Sequence, residues 1–430
     1  MHTAEPGSAQ GLTSAQDGRS GLALRVALFC QVLDHFGDIG VSLRLARSLR
    51  AMTDWQLALF CDQRPLADML TDPQRDGVCW QAWPEPQSQL DPLPDVIINA
   101  FGCELPEAIR EQMRQRKAEQ SGPEVLWIHL DYLSAEAWVN NHHGLHSYKA
   151  DGLVQVFVFP GFGPDSGGLP GGFAQLHPGE HPTAHSGAHS NAHSGAHSNA
   201  HSGAHSSAFP GAHRGLDHAV FASGQTQEQE ALKVFAYVYE TAALAPWLGA
   251  IDAHIDLRMP QSQLSPALLD ALRSCGQICV RGLAPCPQWQ WDEAMQACDL
   301  LWVRGEDSWV QAMRSGIPWL WQPYPQTVQT LRGKCEGLTA QMDAVLEADP
   351  AWPCWRDALQ AWALGEVMPA AYRLLCQDMQ AWRRLAGVWA AHCNSLPRLD
   401  RSLCHMIETH HQAISTYTSR LCRPHLQVSP

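Results

Sequence analysis

The segment DHFGDIG, residues 34–40, has residue types and spacing that could move a proton. Asp34 and Asp38 lie four residues apart, and Gly37 and Gly40 flank the second acid. Two carboxylates this close in sequence can hold a cation and accept a proton from it. Asp and Gly are also common in turns, and Asp caps helices, so each residue alone has an ordinary structural explanation.

A second acidic segment, VRGEDSW at residues 303–309, has groups that suit a diphosphate. Arg304 supplies a fixed cation and Ser308 a hydroxyl, and the N–H groups at a helix start point outward. A nucleotide-sugar donor would fit these groups. Glu306 and Asp307 would repel phosphate unless they bind a sugar hydroxyl or accept backbone N–H bonds. The alternative is that Asp307 or Ser308 serves only as the helix N-cap.

Aromatic and amide side chains in the second half of the chain could hold a nucleoside. Tyr237 and Tyr239 end one apolar run, and Gln288 and Trp291 open a helical segment, PQWQWDEA. Each alone would more often belong to a core, but together they could form a stacking surface for a nucleobase. The first turn has no GxGxxG fingerprint, which argues against a nicotinamide enzyme.

The elements that must position these residues are two sets of short apolar runs separated by helical segments. Such alternation predicts parallel sheets with crossover helices, whose ligands collect at the carboxyl ends of the strands. We therefore expect two α/β domains in series. The predicted strands lie within residues 23–33, 55–62, 95–102, 124–133 and 155–161, then 231–240, 254–259, 277–283, 299–305 and 317–325.

Composition narrows the class of protein. The chain has 430 residues, of which 45% are hydrophobic, enough for two ordinary cores. A formal net charge of −14 argues against a nucleic-acid partner, and a basic protein partner fits better. The 14 cysteines are scattered without a CxxC pair, which is typical of reduced thiols in the cytoplasm. The first twenty residues lack the apolar core of a signal peptide, and no stretch approaches the apolar length of a membrane span, so we expect a cytoplasmic protein without a membrane partner.

A low-complexity insertion separates the two halves. His recurs every fourth residue from His181 to His205, among Gly, Ser, Asn and Ala. This composition predicts disorder at a domain boundary, and capture of a metal by the imidazoles is the alternative.

Four longer motifs resemble those of a known family. DHFGDIGVSLRLARSL, LDYLSAEAWV, FPGFGPDSGGL and ACDLLWVRGEDSWVQAMRSGIPWLWQPYPQ occur in the order and spacing of the bacterial protein-arginine rhamnosyltransferases that modify translation elongation factor P, the EarP family. The similarity extends from about residue 24 to the helices near residue 384. It implies the α/β GT-B glycosyltransferase fold, with two Rossmann-like domains facing a central cleft.

The resemblance also implies a division of the chain. A disordered extension (1–23) would precede an acceptor-binding domain (24–165) and a linker with the His-rich insertion (166–225). A nucleotide-sugar-binding domain (226–370) would follow, then C-terminal helices that could pack back on the first domain (371–400), and a tail (401–430).

The implied reaction is transfer of L-rhamnose from dTDP-β-L-rhamnose to an arginine of elongation factor P, with inversion and without a metal or other cofactor. Asp38 resembles the general base, with Asp34 supporting the acceptor and Glu306 acting across the cleft. The expected substrate contacts are Gly37, Gly40, Tyr237, Tyr239, Gln288, Trp291, Arg304, Asp307, Ser308, Tyr324 and Gln326. The chain departs from the family at Pro285, where relatives tend to have an aromatic residue, and by lacking a His after Gln326.

Three other functions remain open from the sequence. Another GT-B enzyme, with a different acceptor or with epimerase activity, would share the donor site. A non-catalytic translation-factor binder or a His-rich metal-handling protein would belong to a different class.

Overall fold

The computed structural model describes residues 23–172, 217–221, 231–241 and 243–421. The extension up to residue 22 and the His-rich repeat from His181 to His205 lie outside the described residues. Two open sheets dominate the fold, each formed by one half of the chain.

The first sheet has the strand order β3-β2-β1-β4-β5-β7-β6, and its strands are parallel except for the β6–β7 pair. The order reverses between β1 and β4, which is the topological switch point where ligands bind in such sheets. The strands are β1 (Arg25–Cys30), β2 (Gln56–Cys61), β3 (Trp80–Ala82), β4 (Val96–Ala100), β5 (Leu126–Leu130), β6 (His146–Tyr148) and β7 (Val154–Val158). The helices of this half are α1 (Phe36–Met52), α2 (Arg64–Leu70), α3 (Pro73–Asp76), α4 (Glu107–Glu119) and α5 (Val139–His142).

The second sheet repeats this plan with the order β13-β12-β9-β10-β11-β8, parallel except for the β8–β11 pair. Its switch point lies between β9 and β12. The strands are β8 (Asp217–Phe221), β9 (Leu232–Ala236), β10 (Ile255–Pro260), β11 (Ile278–Leu283), β12 (Leu300–Arg304) and β13 (Trp319–Gln322). The helices are α6 (Leu244–Leu248), α7 (Pro266–Ser274), α8 (Gln288–Gln296), α9 (Asp307–Ser315), α10 (Val328–Leu346), α11 (Trp352–Ala363), α12 (Ala370–Gln377), α13 (Met379–Ser395) and α14 (Leu399–Leu421).

Apolar runs account for the central strands. In β1 the residues after Arg25 are all buried, as expected for a strand covered on both faces. Each predicted apolar run overlaps one of the observed strands, and β3, β6 and β8 are additional strands that were not predicted from the sequence.

The C-terminal helices divide between the two domains at a different place from the predicted one. Tyr372 of α12 and Trp389 of α13 belong to the core of the second domain. Leu399, Leu403 and Ile407 of α14 belong to the core of the first. The segment that returns to the first domain therefore begins at α14, largely within the predicted tail, because these three residues form an apolar stripe at a spacing of four.

Candidate active site

A cavity of about 440 Å³ lies between the carboxyl edges of the two sheets. Its size is that of an ordinary small-molecule site. Loops that follow strands beside both switch points, such as those after β1, β9 and β12, contribute to its walls. The predicted site residues that line it are Asp34, Gly37, Tyr237, Tyr239, Gln288, Trp291, Arg304, Asp307 and Ser308.

Asp38 is almost fully buried in the first turn of α1. The helix begins at Phe36, so this acid stands within the helix, not in the turn that its glycine neighbours suggested. Its Oδ2 accepts the backbone N–H groups of Leu33 at 2.7 Å and Asp34 at 2.8 Å. Burial raises the pKa of Asp38, and these N–H bonds together with the hydroxyl of Tyr132 lower it in part. Asp38 therefore holds the loop in place while its carboxyl group faces Tyr132.

Asp34 contacts the opposite domain. Its Oδ2 accepts a hydrogen bond from the Tyr239 hydroxyl at 2.5 Å. Burial raises the pKa of Asp34 to about 6, although this hydrogen bond and the charge of Arg304 act in the opposite direction. The carboxyl group is thus mostly ionised at pH 7 and half protonated near pH 6, and it lies at the boundary between the two domains.

Glu306 lies at the N-cap position of α9, in the second domain. Its Oε1 accepts the backbone N–H of Leu133, from the first domain, at 2.7 Å. Its Oε2 is buried and has no hydrogen-bond partner. Burial and the negative charge of Asp38 raise the pKa of Glu306 to about 8, and the charge of Lys334 lowers it only in part. The group is therefore an acid that its surroundings keep largely neutral at pH 7.

Tyr132 connects the three acids and was not among the predicted site residues. Burial raises the pKa of its hydroxyl strongly, and the charges of Asp38, Glu306 and Asp34 act in the same direction. Its ring stacks on Phe101 with the centroids 4.6 Å apart. Acids from both domains therefore converge on one hydroxyl. The sequence signal for Tyr132 was its position just after β5, at the same sheet edge as Asp34.

The start of α9 has exposed backbone donors. The N-cap residue is Glu306, and its side chain makes no capping bond, so the alternative of Asp307 or Ser308 as the N-cap is wrong. The Ser308 hydroxyl instead donates to the carbonyl of Arg304 at 2.6 Å. Gly305 before the helix has φ of 59°, a left-handed conformation that glycine adopts without strain. A helix start without a side-chain cap can bind an anion through its N–H groups.

Arg304 lies over two tyrosine rings beside this helix start. Its guanidinium carbon is 4.0 Å from the centroid of Tyr237 and 4.4 Å from that of Tyr239. It also donates to the Tyr237 hydroxyl at 2.7 Å. These contacts fix the cation at the end of β12, facing the cavity.

The far end of the cavity is mainly apolar. Trp291 stacks on Tyr237 with the centroids 6.3 Å apart and the planes 21° apart. Ser262 and Gln263 add polar groups to this end. A flat aromatic wall with a few polar groups suits a nucleobase. The remaining lining residues here are Phe235, Leu283, Pro285 and Met295.

Several predicted contacts have other positions or partners. The Asp307 carboxylate pairs with Arg44 of the first domain, and Gln288 donates to the carbonyl of Gly40. Gly40 thus faces the second domain instead of the cavity. Tyr324 is 43% exposed and meets Tyr239 edge to face, and Gln326 is exposed; neither lines the cavity.

The described residues include neither a metal-binding cluster nor a membrane-spanning helix. In this part of the chain, no group of three or more His, Cys, Asp or Glu is arranged to hold a metal ion. No helix among the same residues is both long and apolar enough to cross a membrane.

Two Rossmann-like sheets that face each other across a nucleotide-sized cleft define the GT-B fold, as the resemblance predicted. A family model described as elongation-factor P (EF-P) rhamnosyltransferase EarP matches residues 26–408. The chain belongs to this family, which confirms the resemblance.

Individual relatives agree with this assignment. A protein-arginine rhamnosyltransferase of Pseudomonas aeruginosa is 33% identical over 393 residues, covering 86% of this chain and 96% of the relative. One of Pseudomonas putida is 32% identical over 402 residues, with 88% and 97% covered. The fold is shared by a solved structure reported as the structural basis for EarP-mediated arginine glycosylation of translation elongation factor EF-P. The TM-score is 0.51 at 20% identity, and the match covers 90% of this chain and 99% of that chain.

Proposed function

We propose that this chain is an inverting glycosyltransferase that moves L-rhamnose from dTDP-β-L-rhamnose to an arginine side chain of translation elongation factor P, activating the factor. The observation that carries the proposal is the convergence of Asp34, Asp38 and Glu306 on Tyr132 beside a cavity of nucleotide-sugar size. The name shared by the Pseudomonas relatives supports the sugar and the arginine, and the family description supports the acceptor protein.

The acidic group of residues suits a guanidinium acceptor. Arginine is a poor nucleophile because its cation has a reference pKa above about 12. Burial leaves the pKa of Asp34 at about 6 and that of Glu306 at about 8, and one Glu306 oxygen is buried without a partner. A bound guanidinium would add a positive charge and lower both pKa values, so Glu306 would ionise as the cation entered. Its planar set of donors can serve several carboxylates at once.

The transfer step uses the acidic residues near Tyr132 and the positive groups at the start of α9. A guanidinium nitrogen attacks the anomeric carbon, Asp38 takes the proton from that nitrogen, and the bond between the anomeric carbon and the diphosphate oxygen breaks. The electron pair leaves with dTDP. Arg304 and the N–H groups at the start of α9 would stabilise the charge that develops there. Attack on the face opposite the leaving group gives inversion.

The donor would lie along the second domain. Its thymine would stack on Trp291 near Tyr237, and its diphosphate would reach the start of α9. No step in this scheme uses a metal or another cofactor. Because the proposed acceptor is a translation factor, we place the reaction in the cytoplasm.

Intact-mass measurement of the acceptor tests the proposal. Elongation factor P incubated with the protein and dTDP-β-L-rhamnose in EDTA should gain the mass of one deoxyhexose. A factor whose target arginine is replaced by lysine should not gain it. An unmodified factor, together with conversion of the nucleotide sugar alone, would favour another GT-B enzyme such as an epimerase.

A further inference from the structure

Arg44, in the middle of α1, is a buried cation at the boundary between the two domains. Its side chain is 2% exposed. Nη1 and Nη2 donate to the two Asp292 oxygens at 2.7 and 2.5 Å, and Nε donates to Asp307 Oδ1 at 2.6 Å. Asp292 belongs to α8 and Asp307 opens α9, so one first-domain arginine holds two helices of the donor domain.

Neighbouring side chains reinforce the same contact. Gln288 of α8 donates to the Gly40 carbonyl at 2.9 Å and to Asp307 Oδ2 at 2.8 Å, and it accepts from Arg47. The contact therefore consists of directional bonds from α1 to both α8 and α9.

A fork-shaped guanidinium between two carboxylates fixes both the distance between the carboxylates and their orientation. Because Arg44 and both its partners are shielded from water, a shift between the domains would leave two buried carboxylates without their cation. The structure thus has a stiff connection between the domains where α1 meets α8 and α9.

We propose that Arg44 is a positioning residue for glycosyl transfer, which fixes the distance between Asp38 and the start of α9. Each group that has to be positioned shares a helix with a residue of this connection. Helix α1 carries both Asp38 and Arg44, and α9 carries both Asp307 and the N–H groups that face the cavity. This inference rests on the function proposed above, because the start of α9 matters as the place of the diphosphate.

Two variants separate positioning from folding. Arg44→Met removes the cation but leaves Asp292 and Asp307 unpaired, so it could fail to fold. Gly40→Ala changes no charge, and its methyl group would lie 2.8 Å from Asp307 Oδ2 and 3.0 Å from Gln288 Nε2, so these two side-chain ends must leave their places in the connection. Gly387→Ala in α13 is the matched control, since a methyl group there meets nothing within 4 Å.

We expect Gly40→Ala to keep a cooperative melting transition and to lose less calorimetric affinity for dTDP than transfer rate, because Arg304 and Trp291 of the nucleotide site stay in place. Its single-turnover rate with saturating donor and acceptor should fall by about 10- to 100-fold, as misplacement of a reacting group by about 1 Å can cause. Gly387→Ala should match the unmodified protein in all three measurements. A normal rate for Gly40→Ala would overturn the proposal, whether or not Arg44→Met folds.

Hydrogen exchange keeps this test apart from the proposed function. If the unmodified protein transfers no rhamnose, the proposed function fails, and the connection is still tested by amide hydrogen exchange without substrates. We expect faster exchange in α8 and at the start of α9 for Gly40→Ala than for Gly387→Ala. Equal exchange would show that Arg44 and its partners do not fix the domains.

Discussion

Replacing Glu306 with Gln tests whether this buried carboxyl group is kept neutral by its surroundings. Gln keeps the oxygen that accepts from Leu133 and removes the titrating group. In the folded protein burial raises the pKa of Glu306 from 4.5 to about 8. Between these two values the folded protein holds a proton that the unfolded chain has released.

The buried carboxyl group of Glu306 makes the folded protein less stable as pH rises. A group whose pKa is raised on folding contributes stability below its unfolded pKa and loses that contribution as pH rises through its folded pKa. One proton corresponds to about 1.4 kcal/mol of unfolding free energy for each pH unit. Over the interval from 4.5 to about 8, the loss reaches about 5 kcal/mol. The Gln variant does not incur this loss.

Urea unfolding at several pH values measures the difference. The Glu306→Gln variant should match the unmodified protein at about pH 5 and exceed its unfolding free energy increasingly up to about pH 8. Glu366→Gln is the control, because that carboxylate is 51% exposed and pairs with Arg332 at the surface. A stability difference that stays constant with pH would refute the account of Glu306 as a buried, unpaired acid.

Three further predictions concern the proposed chemistry. Asp38→Asn keeps the size and the acceptor oxygen, so its melting temperature should hold while single-turnover transfer slows by ~10²–10⁴-fold; near-normal transfer in a stable variant would contradict its role as general base. Tyr132→Phe removes the hydroxyl that lowers the pKa of Asp38, so the acid limb of the kcat/KM profile should move to higher pH, and an unmoved limb would count against this contact. Trp291→Ala should weaken dTDP binding in calorimetry by about 10-fold, as loss of base stacking typically does; an unchanged Kd would place the nucleobase elsewhere.

The central strands could be predicted because burial on both faces demands an apolar run, which is visible in the sequence. The strands β3 and β6 could not, since each has three residues and is partly exposed at a sheet edge. The start of α1 was also misplaced. Its glycines suggested a turn, but Asp38 binds the preceding N–H groups and allows the helix to begin at Phe36.

The residues of the site were likewise only partly predictable from the sequence. The acids and aromatic residues could be identified because their types and their positions after strands carry chemical meaning. The roles of Arg44 and Tyr132 could not, because they depend on partners that are distant in sequence. Arg44 and Asp292 are 248 residues apart, so in the sequence Arg44 is one polar residue on an amphipathic helix.

The return of α14 to the first domain affects the order in which the protein can fold during synthesis. Leu399, Leu403 and Ile407 fill part of the first core, yet they leave the ribosome after every strand of the second sheet. Domains generally fold as units as the chain emerges. Here the first domain, although it is translated first, keeps an apolar face uncovered until the second half of the chain has been made. The first domain is therefore the last to be completed.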